Sequence, residues 1–436
     1  MLATYRPIFS LLRGTAFLLA ASGLHNLLLP LRGQAEGFST FALGLLGTAW
    51  AGGFVAGCIL APRLVRRVGH VRAFGTFAAS AAIIVLFTGL FINETAWILS
   101  RICTGFVMAG AFMVIESWLN EKATNENRGT VFGLYMMVTY ASIMAGQMVV
   151  AAFDVRQSSL FMVSGILFCC SLIPTAVSTA VTPRPLEDVS LDLRGLFANS
   201  PVAFVACLLI GVANGAWGTL GPVYGARIGI TTAEIALMMS LVVIAGAAIQ
   251  MPAGRLSDKT DRRFILAGAG FLGALIAVLI FFVEPRSGSA VIGMAACYGA
   301  MAYIMYSLAV AHANDHADTS DFVKISGGLL LLYGFGTMIG PLLGSVLMAR
   351  MRPEALFLAT ALPHFLLGCY TMLRVSQRAA VAPENKEAFN ALPSERALTP
   401  QAVLLDPRGP DDPDEPASSD EDVSDEEKEP ELTPAS

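Results

Sequence analysis

The chain has 436 residues, of which 55% are hydrophobic and 14% are charged, and its mean hydropathy is +0.63. Water-soluble domains carry about 25% charged residues, so this composition excludes an ordinary soluble globule and favours a protein whose side chains are buried in lipid. Residues 375–436 contain 16 Asp or Glu and 5 Lys or Arg, a net charge of −11, so with −5 for the whole chain the remainder carries +6.

Twelve apolar runs follow one another along the chain. A helix that crosses a bilayer needs about 20 mostly apolar residues, and a lone strand cannot satisfy its backbone in lipid. The runs cover residues 9–31, 40–61, 71–92, 96–118, 130–152, 159–181, 201–223, 234–253, 264–283, 289–311, 324–348 and 355–374. They predict an all-α membrane protein with twelve transmembrane helices.

The second half of the chain repeats the first. Five residues of the first half return with a shift of 192 positions: Gly23, Pro30, Gly33, Gly37 and Ser39 correspond to Gly215, Pro222, Gly225, Gly229 and Thr231. Gly146 corresponds to Gly340 with a shift of 194. Such repeats are typical of membrane proteins built from two related bundles. We predict an N-terminal six-helix bundle over 1–181, a cytoplasmic linker over 182–200, a C-terminal six-helix bundle over 201–375, and a disordered acidic cytoplasmic tail over 376–436.

The loops differ in basic charge from one side of the predicted bundle to the other. With the linker and both termini on one side, 17 Lys or Arg up to Arg378 lie on that side and 6 on the other. Cytoplasmic loops carry the excess of Lys and Arg. Both termini are therefore predicted to be cytoplasmic.

Two equivalent loops carry a recognisable motif. The loop after the eighth run reads GRLSDKTDRR, from Gly254 through Asp258, Lys259 and Arg262 to Arg263. It resembles the signature G-x-x-x-D-[RK]-x-G-x-[RK]-[RK] of the major facilitator superfamily, with Asp261 in place of the second glycine. The first-half counterpart keeps Arg67, Gly69 and Arg72, but Pro62 and Arg66 stand where the signature has glycine and an acid.

Three further segments resemble the same superfamily. The segment Arg101–Gly105 is similar to its R-x-x-x-G motif. The eleventh run contains Gly336, Gly340, Pro341 and Gly344, similar to the G-P-x-x-G element that drug antiporters carry in the fifth helix. The fifth run here has Gly146-Gln147 and no proline, which departs from that pattern. The stretch 116–129 resembles a bacterial YcaD-like branch, which implies a protein of the bacterial inner (plasma) membrane.

The resemblance covers residues 8–375 and implies a fold and a mechanism. It implies two parallel six-helix repeats that move a small solute by alternating access, with the first helix of each bundle lining the cavity. It also implies helix-packing roles for Gly336, Gly340, Pro341 and Gly344, and gating roles for the two motif loops. The gating residues would be Arg66, Arg67, Gly69, Gly254, Asp258, Lys259, Arg262 and Arg263, with the second-half latch, Asp258 paired to Arg262, the stronger.

Arg101 and Glu116 lie in the fourth run. Arg101 is about five residues inside the helix, where a charge costs several kcal/mol and has to face the bundle interior. It is a candidate proton-coupling or substrate-orienting cation, or a charge tied to backbone carbonyls that locks helices together. Glu116 lies at the cytoplasmic end of the helix. It is expected to form an ionic latch beside Arg66 and Arg67, and the alternative is a proton carrier.

Other polar groups within the runs are candidates for the substrate or proton pathway. The first and seventh runs contain the related residues Ser22 and Asn214, and His25 and Trp217. The remaining candidates are Asn26, Gln147, Tyr303, Tyr306 and Tyr333. Polar and aromatic groups in a cavity can hydrogen-bond and stack a ligand. The alternatives are an interfacial histidine that meets water and tyrosines of the interfacial belt.

No Walker loop, zinc motif, nucleophile elbow or dinucleotide fingerprint occurs in the sequence. His312 and His316 have a spacing that permits a metal, but capping of the next helix is the preferred interpretation. We therefore predict no enzyme activity, no cofactor and no metal.

These observations predict a monomeric secondary transporter in the lipid bilayer whose partners are a small-molecule substrate and the proton, with no nucleic acid. Proton coupling is preferred because Arg101, Glu116 and His25 are ionisable and lie in or near the spans. Two alternatives remain open, an uncoupled uniporter and a transporter-like membrane sensor or scaffold that acts through its acidic tail.

Overall fold

The computed structural model describes residues 2–123, 127–176, 192–317, 322–382, 386, 389 and 399–405. The helices are α1 (Leu2–Ala35), α2 (Thr40–Val68), α3 (His70–Leu90), α4 (Glu94–Lys122), α5 (Arg128–Ala151), α6 (Ser159–Cys170), α7 (Leu172–Ala176), α8 (Leu193–Asn199), α9 (Pro201–Ile228), α10 (Thr232–Lys259), α11 (Arg262–Val283), α12 (Gly288–Asn314), α13 (Phe322–Arg350) and α14 (Ala355–Val375). A short 3-10 helix follows at Pro400–Leu405.

Twelve helical stretches of the described residues are long and apolar enough to cross a membrane, which confirms the predicted fold class. The sixth is built from two helices, because α6 stops at Cys170 and α7 resumes after Ser171. The Ser171 hydroxyl donates to the carbonyl of Phe168 at 2.7 Å, a local bond that competes with the helix ladder. The end of the predicted sixth run, 177–181, lies outside the described residues.

The repeated residues form equivalent turns in the two halves. Gly37 and Gly229 both have positive φ, 77° and 85°, a conformation that only glycine adopts easily. Two residues later Ser39 and Thr231 are the N-caps of α2 and α10. The sequence repeat therefore marks the same helix–turn–helix corner twice.

A second repeated glycine allows a close helix contact in each half. A Cβ at Gly146 of α5 would overlap the carbonyl of Ala20 on α1, and a Cβ at Gly340 of α13 would overlap the carbonyl of Val212 on α9. Small residues allow such approach where lipid supplies no hydrophobic drive for association. The first and fifth spans of each half therefore pack backbone to backbone.

Helices α1–α7 pack mainly on one another, as do α9–α14, and the two groups meet along α1, α2 and α5 on one side and α9, α10 and α13 on the other. The helices α3 and α11 lie at the periphery and expose large apolar side chains, for example Leu90 (77% exposed) and Phe282 (72%). Side chains of this kind form the expected lipid-facing surface.

The two ends of the bundle differ in the segments that they carry. We call the end that carries α8 and the start of the C-terminal tail the linker end, and the opposite end the far end. The helix α8 lies within the predicted linker, whose residues 182–191 fall outside the described part of the chain. The tail predicted to be disordered contains the ordered 3-10 helix Pro400–Leu405, and residues 406–436 again fall outside the described part.

Candidate functional site

Arg101 lies in α4, seven residues after its start at Glu94, and only 4% of it is exposed. Its Nη1 donates to Oδ1 of Asn26 on α1 at 3.0 Å, and its Nε donates to the carbonyl of Leu46 on α2 at 3.4 Å. Its guanidinium carbon lies 5.7 Å from the centre of the Trp50 ring, a cation–π distance. One buried cation thus joins three helices of the first half.

Asn26 extends this group along α1. Its Nδ2 donates to the hydroxyl of Ser22 at 3.2 Å, one helical turn away. The structure therefore brings together Arg101, Asn26 and Ser22, three of the predicted site residues. Trp50 was not among the residues predicted from the sequence, although it lies on α2 near Gly53, where a Cβ would overlap the carbonyl of Ile102 on α4.

His25 and Trp217 face the interiors of their own halves. The His25 ring packs on Phe161 of the sixth span at 6.5 Å between centroids. The Trp217 ring packs on Tyr298 and Phe357, each at 5.7 Å. Both rings are buried, His25 at 1% and Trp217 at 0% exposure, whereas the neighbouring Asn26 accepts a hydrogen bond from Arg101. His25 and Asn26 are consecutive residues, whose side chains point about 100° apart around the helix axis.

Two amide side chains occupy different surroundings. Asn214, on α9, is 6% exposed, and neither its Oδ1 nor its Nδ2 has a hydrogen-bond partner among the described residues. Gln147, on α5, accepts a hydrogen bond at 3.1 Å from the Ser240 hydroxyl of α10, in the other half. Asn214 is thus a buried group ready to bond a ligand or water, whereas Gln147 takes part in a contact between the halves.

A cavity of about 30 Å³ lies between α2 and α13. Trp50, Phe54 and Cys58 line it from α2, and Leu330, Tyr333 and Thr337 line it from α13. Ligand pockets usually measure several hundred Å³. The cavity in this conformation has room for water and would have to widen to hold an organic solute.

The three predicted tyrosines differ in position. Tyr333 lines the cavity between α2 and α13. The Tyr306 ring packs on the Tyr333 ring, with 5.2 Å between the ring centroids. The Tyr303 side chain lies against Gly246 of α10. The backbone carbonyl of Tyr303 accepts a hydrogen bond from Gln250 Nε2 at 3.5 Å. Tyr333 is therefore a wall of the space between the halves, and Tyr303 belongs to the packing of the second half.

Glu116 is fully buried near the linker end of α4. Its carboxylate accepts hydrogen bonds from the Tyr135 hydroxyl at 3.2 Å and from the backbone N–H of Thr399 at 3.1 Å. The Thr399 hydroxyl also donates to it. Arg66 and Arg67, the predicted latch partners, lie exposed at the end of α2. Glu116 therefore binds a segment of the chain's own tail.

The second-half motif forms a charge network inside its own half. Arg262, 1% exposed, donates from Nε to Asp315 Oδ2 at 2.7 Å and from Nη1 to Asp258 Oδ1 at 2.8 Å. Asp315, 2% exposed, follows α12. The predicted bond between Asp258 and Arg262 is present, but it runs along one helix corner and does not cross between the halves. Sequence spacing could not reveal Asp315 as the second partner, 53 residues away.

Neighbouring motif residues complete this corner. Arg263 pairs with Asp261 at 2.7 Å and donates to the carbonyl of Arg378 at 2.8 Å. Burial alone raises the pKa of Asp261, but its hydrogen bonds and attraction to Arg263 outweigh that effect and hold the pKa below its usual range.

The remaining motif residues lie at or near the ends of helices. Gly254 lies against the Phe389 ring. Lys259 ends α10. In the first half, Gly69, with φ 81°, separates α2 from α3.

The far end is closed by contacts between the halves. Arg227, at the end of α9, donates to Oε1 of Gln34 at 3.0 Å and to the Thr40 hydroxyl at 2.7 Å. The Thr48 hydroxyl donates to the carbonyl of Met338 at 2.7 Å. A Cβ at Gly47 would overlap the Thr219 side chain of α9. The two halves thus meet here without space for a side chain between them.

Comparison with known proteins places these observations in one family. The chain matches the family described as the Major Facilitator Superfamily in two overlapping segments, residues 11–323 and 226–408. It is 27% identical to the MFS-type transporter YcaD of Shigella flexneri over 371 residues, 84% of this chain and 95% of that one. YcaD of Escherichia coli strain SMS-3-5 gives the same identity and coverage.

Two solved structures share the fold. The nucleoside transporter NupG is 13% identical with a TM-score of 0.67, covering 86% of this chain and 99% of its own. A bacterial homologue of the human lysosomal transporter Spinster, in an inward-facing and occupied conformation, is 14% identical with a TM-score of 0.68, covering 88% and 98%. At this identity the likeness concerns the fold alone.

Proposed function

Since this chain belongs to the major facilitator superfamily, we propose that it is a secondary transporter that moves a small organic solute across the bacterial inner membrane by alternating access. The linker end faces the cytoplasm and the far end faces outward, as the excess of Lys and Arg on the linker side favours. The two halves, 1–181 and 201–375, rock about the space between them.

One observation carries this proposal, the unequal contact between the halves at the two ends. At the far end Arg227, Thr48 and Gly47 join the halves directly. At the linker end the 3-10 helix Pro400–Leu405 contacts α4 and α5 on one side and α13 on the other. Closure at one end with separation at the other is what an inward-facing transporter requires.

Arg101 is the residue we assign to the solute. A buried guanidinium is a strong, directional donor to carboxylate or phosphate oxygens. Its position beside Asn26 and Trp50 offers charge, an amide and an aromatic face within one group of side chains. Asn214 supplies two unpaired polar atoms from the other half. This arrangement favours an organic solute that carries an anionic group.

Glu116 is the candidate proton site. A carboxyl group whose surroundings change between two conformations can take up a proton in one and release it in the other. Glu116 is buried among Tyr135 and Thr399 in this conformation, and closure of the linker end would have to rearrange those partners. Such a group couples solute movement to a proton gradient.

A two-stage experiment tests the proposal. A thermal-shift screen of the purified protein against metabolite libraries identifies a ligand, because binding to the folded state alone raises the apparent stability. Uptake of that ligand into proteoliposomes is then measured with and without a pH gradient, for the natural chain, Arg101→Ala and Arg101→Lys. We expect transport in the natural chain, partial transport with lysine and none with alanine. Equal uptake by liposomes without protein would overturn the proposal. Equal rates with and without the gradient would leave the uniporter as the answer.

A further inference from the structure

The start of the 3-10 helix in the tail is buried in the body of the protein. Thr399 is 0% exposed, and Gln401 and Ala402 are each 4% exposed. Burial this complete is unexpected for a segment of an acidic tail, because a solvated peptide keeps its polar backbone in water. The segment sits between helices of the two halves.

The first attachment is to the N-terminal half. The Thr399 backbone N–H donates to both oxygens of the Glu116 carboxylate, at 3.1 and 3.2 Å, and its hydroxyl donates to the same group. Hydrogen bonds to a carboxylate are stronger than those between neutral groups. The contact joins residues 283 positions apart in the sequence.

The second attachment is to the C-terminal half. The Phe389 ring lies against Gly254, where a Cβ would overlap it, and the Phe389 N–H donates to Asp258 Oδ1 at 3.2 Å. The Lys386 ammonium donates to the carbonyls of Ser257 and Thr260. All these acceptors belong to the end of α10 or the turn that follows it. The tail thus makes contact with both moving halves at the linker end.

We propose that Thr399–Ala402 is an intramolecular plug that seals the cleft between the halves at the linker end. Occupation of the space between α4 and α13 prevents that end from closing and blocks the route from the linker side to the cavity at Cys58. The plug therefore has to leave the cleft before a transport cycle can proceed. This effect on the transport rate rests on the proposed function. The seal itself is a property of the fold and can be measured without transport.

The native cysteines provide the measurement. Cys58 is 5% exposed and lines the cavity between α2 and α13, whereas Cys207 is 0% exposed inside the second half. The full-length protein is treated with N-ethylmaleimide in detergent, and labelling of each cysteine is followed by peptide mass spectrometry. Thr399→Glu places a second carboxyl group against Glu116 and expels the plug, whereas Thr399→Ser keeps the hydroxyl and is the matched control.

We expect the labelling rate of Cys58 to rise about tenfold or more in Thr399→Glu. The lost hydrogen bonds to the carboxylate shift the equilibrium between the docked and the undocked plug by at least that factor. Thr399→Ser should label at the natural rate, and Cys207 should stay unlabelled in all three proteins. Equal rates of Cys58 labelling in Thr399→Glu and in the natural chain, with Cys207 unlabelled in both, would overturn the proposal. Labelling of Cys207 would indicate an unfolded variant, and a chain that ends at Ala382 then takes its place with the same two outcomes.

Transport separates the two proposals. Once a ligand is known, its uptake rate should be several-fold higher in Thr399→Glu than in Thr399→Ser. Faster Cys58 labelling without any transport in either protein would contradict the proposed function and leave the seal supported. Faster labelling with an unchanged, measurable transport rate would contradict the inhibitory role of the plug.

Discussion

The far end and the linker end of this protein join the same two halves by different means. At the far end the joints are short and made by the spans themselves, by Gly47 against Thr219 and by Arg227 with Gln34 and Thr40. At the linker end the charged motif residues bond within the second half, and a segment of the tail stands between the halves. A motif that was expected to act between the halves therefore bonds within one of them, while a segment of the tail contacts both.

The largest effect is expected at the buried corner of the linker end. Asp315→Ala removes the partner of a buried guanidinium, and breaking a buried ion pair costs about 3–5 kcal/mol. Asp258→Ala is the matched control, because Asp258 is 34% exposed and exposed pairs contribute about 1 kcal/mol or less. Thermal unfolding in detergent checks the difference. Equal losses of stability would show that Arg262 depends on both acids alike.

The contact between the halves at the far end is tested by placing a larger side chain at Gly47. Gly47→Leu places a side chain where Thr219 lies, and overpacking of this kind costs about 1–3 kcal/mol. We expect the far end to open, seen as a longer distance between spin labels at Phe41 and Ala233. Gly75→Leu on α3 is the control, since a Cβ there meets nothing within 4 Å. An unchanged distance in Gly47→Leu would mean that the far end can close around the new side chain.

A smaller change at the same joint should follow from loss of hydrogen bonds. Arg227→Ala removes two bonds between the halves, each contributing about 1 kcal/mol. Together they contribute about 2 kcal/mol, so the population with an open far end should increase about 30-fold by the same spin-label distance. Arg350→Ala, an exposed arginine of α13, serves as the comparison. A similar shift in both variants would point to general charge effects.

The smallest effect concerns pH and the linker end. The pKa of Asp261 is lowered in the folded protein, so its bond to Arg263 stabilises the fold at pH above the ordinary aspartate value of about 3.9. That stability is lost as the pH falls through the lower folded-state value. Asp261→Asn should flatten this part of the stability profile by less than about 1 kcal/mol. A profile identical to that of the natural chain would assign the acid sensitivity to other carboxyl groups.

Much of the architecture could be predicted from the sequence because it depends on local length and spacing. Twelve apolar runs became twelve spans. The repeated Gly37 and Gly229 became equivalent turns, and the repeated Gly146 and Gly340 became equivalent helix crossings. Each of these features is decided within one helix or one turn, where hydropathy and backbone freedom act directly.

The site was predictable only in part. Arg101 had to be buried because a charge inside a span has few other places to lie, and its neighbour Asn26 was among the candidates. The rotation of α1 and α9 was not predictable, since interior and lipid-facing side chains are both apolar in a membrane helix and leave weak periodicity. His25 and Trp217 accordingly turned into their own halves.

The spans and the buried cation could be read from the chain alone, because placing polar groups in lipid is costly along any short stretch. The duplicated unit could be read from the residues that recur at a fixed shift. Helix packing was needed to bring Asp315 to the motif corner and Thr399 to Glu116. Those contacts bridge 53 and 283 residues, and the geometry that brings them together exists only after the helices have packed.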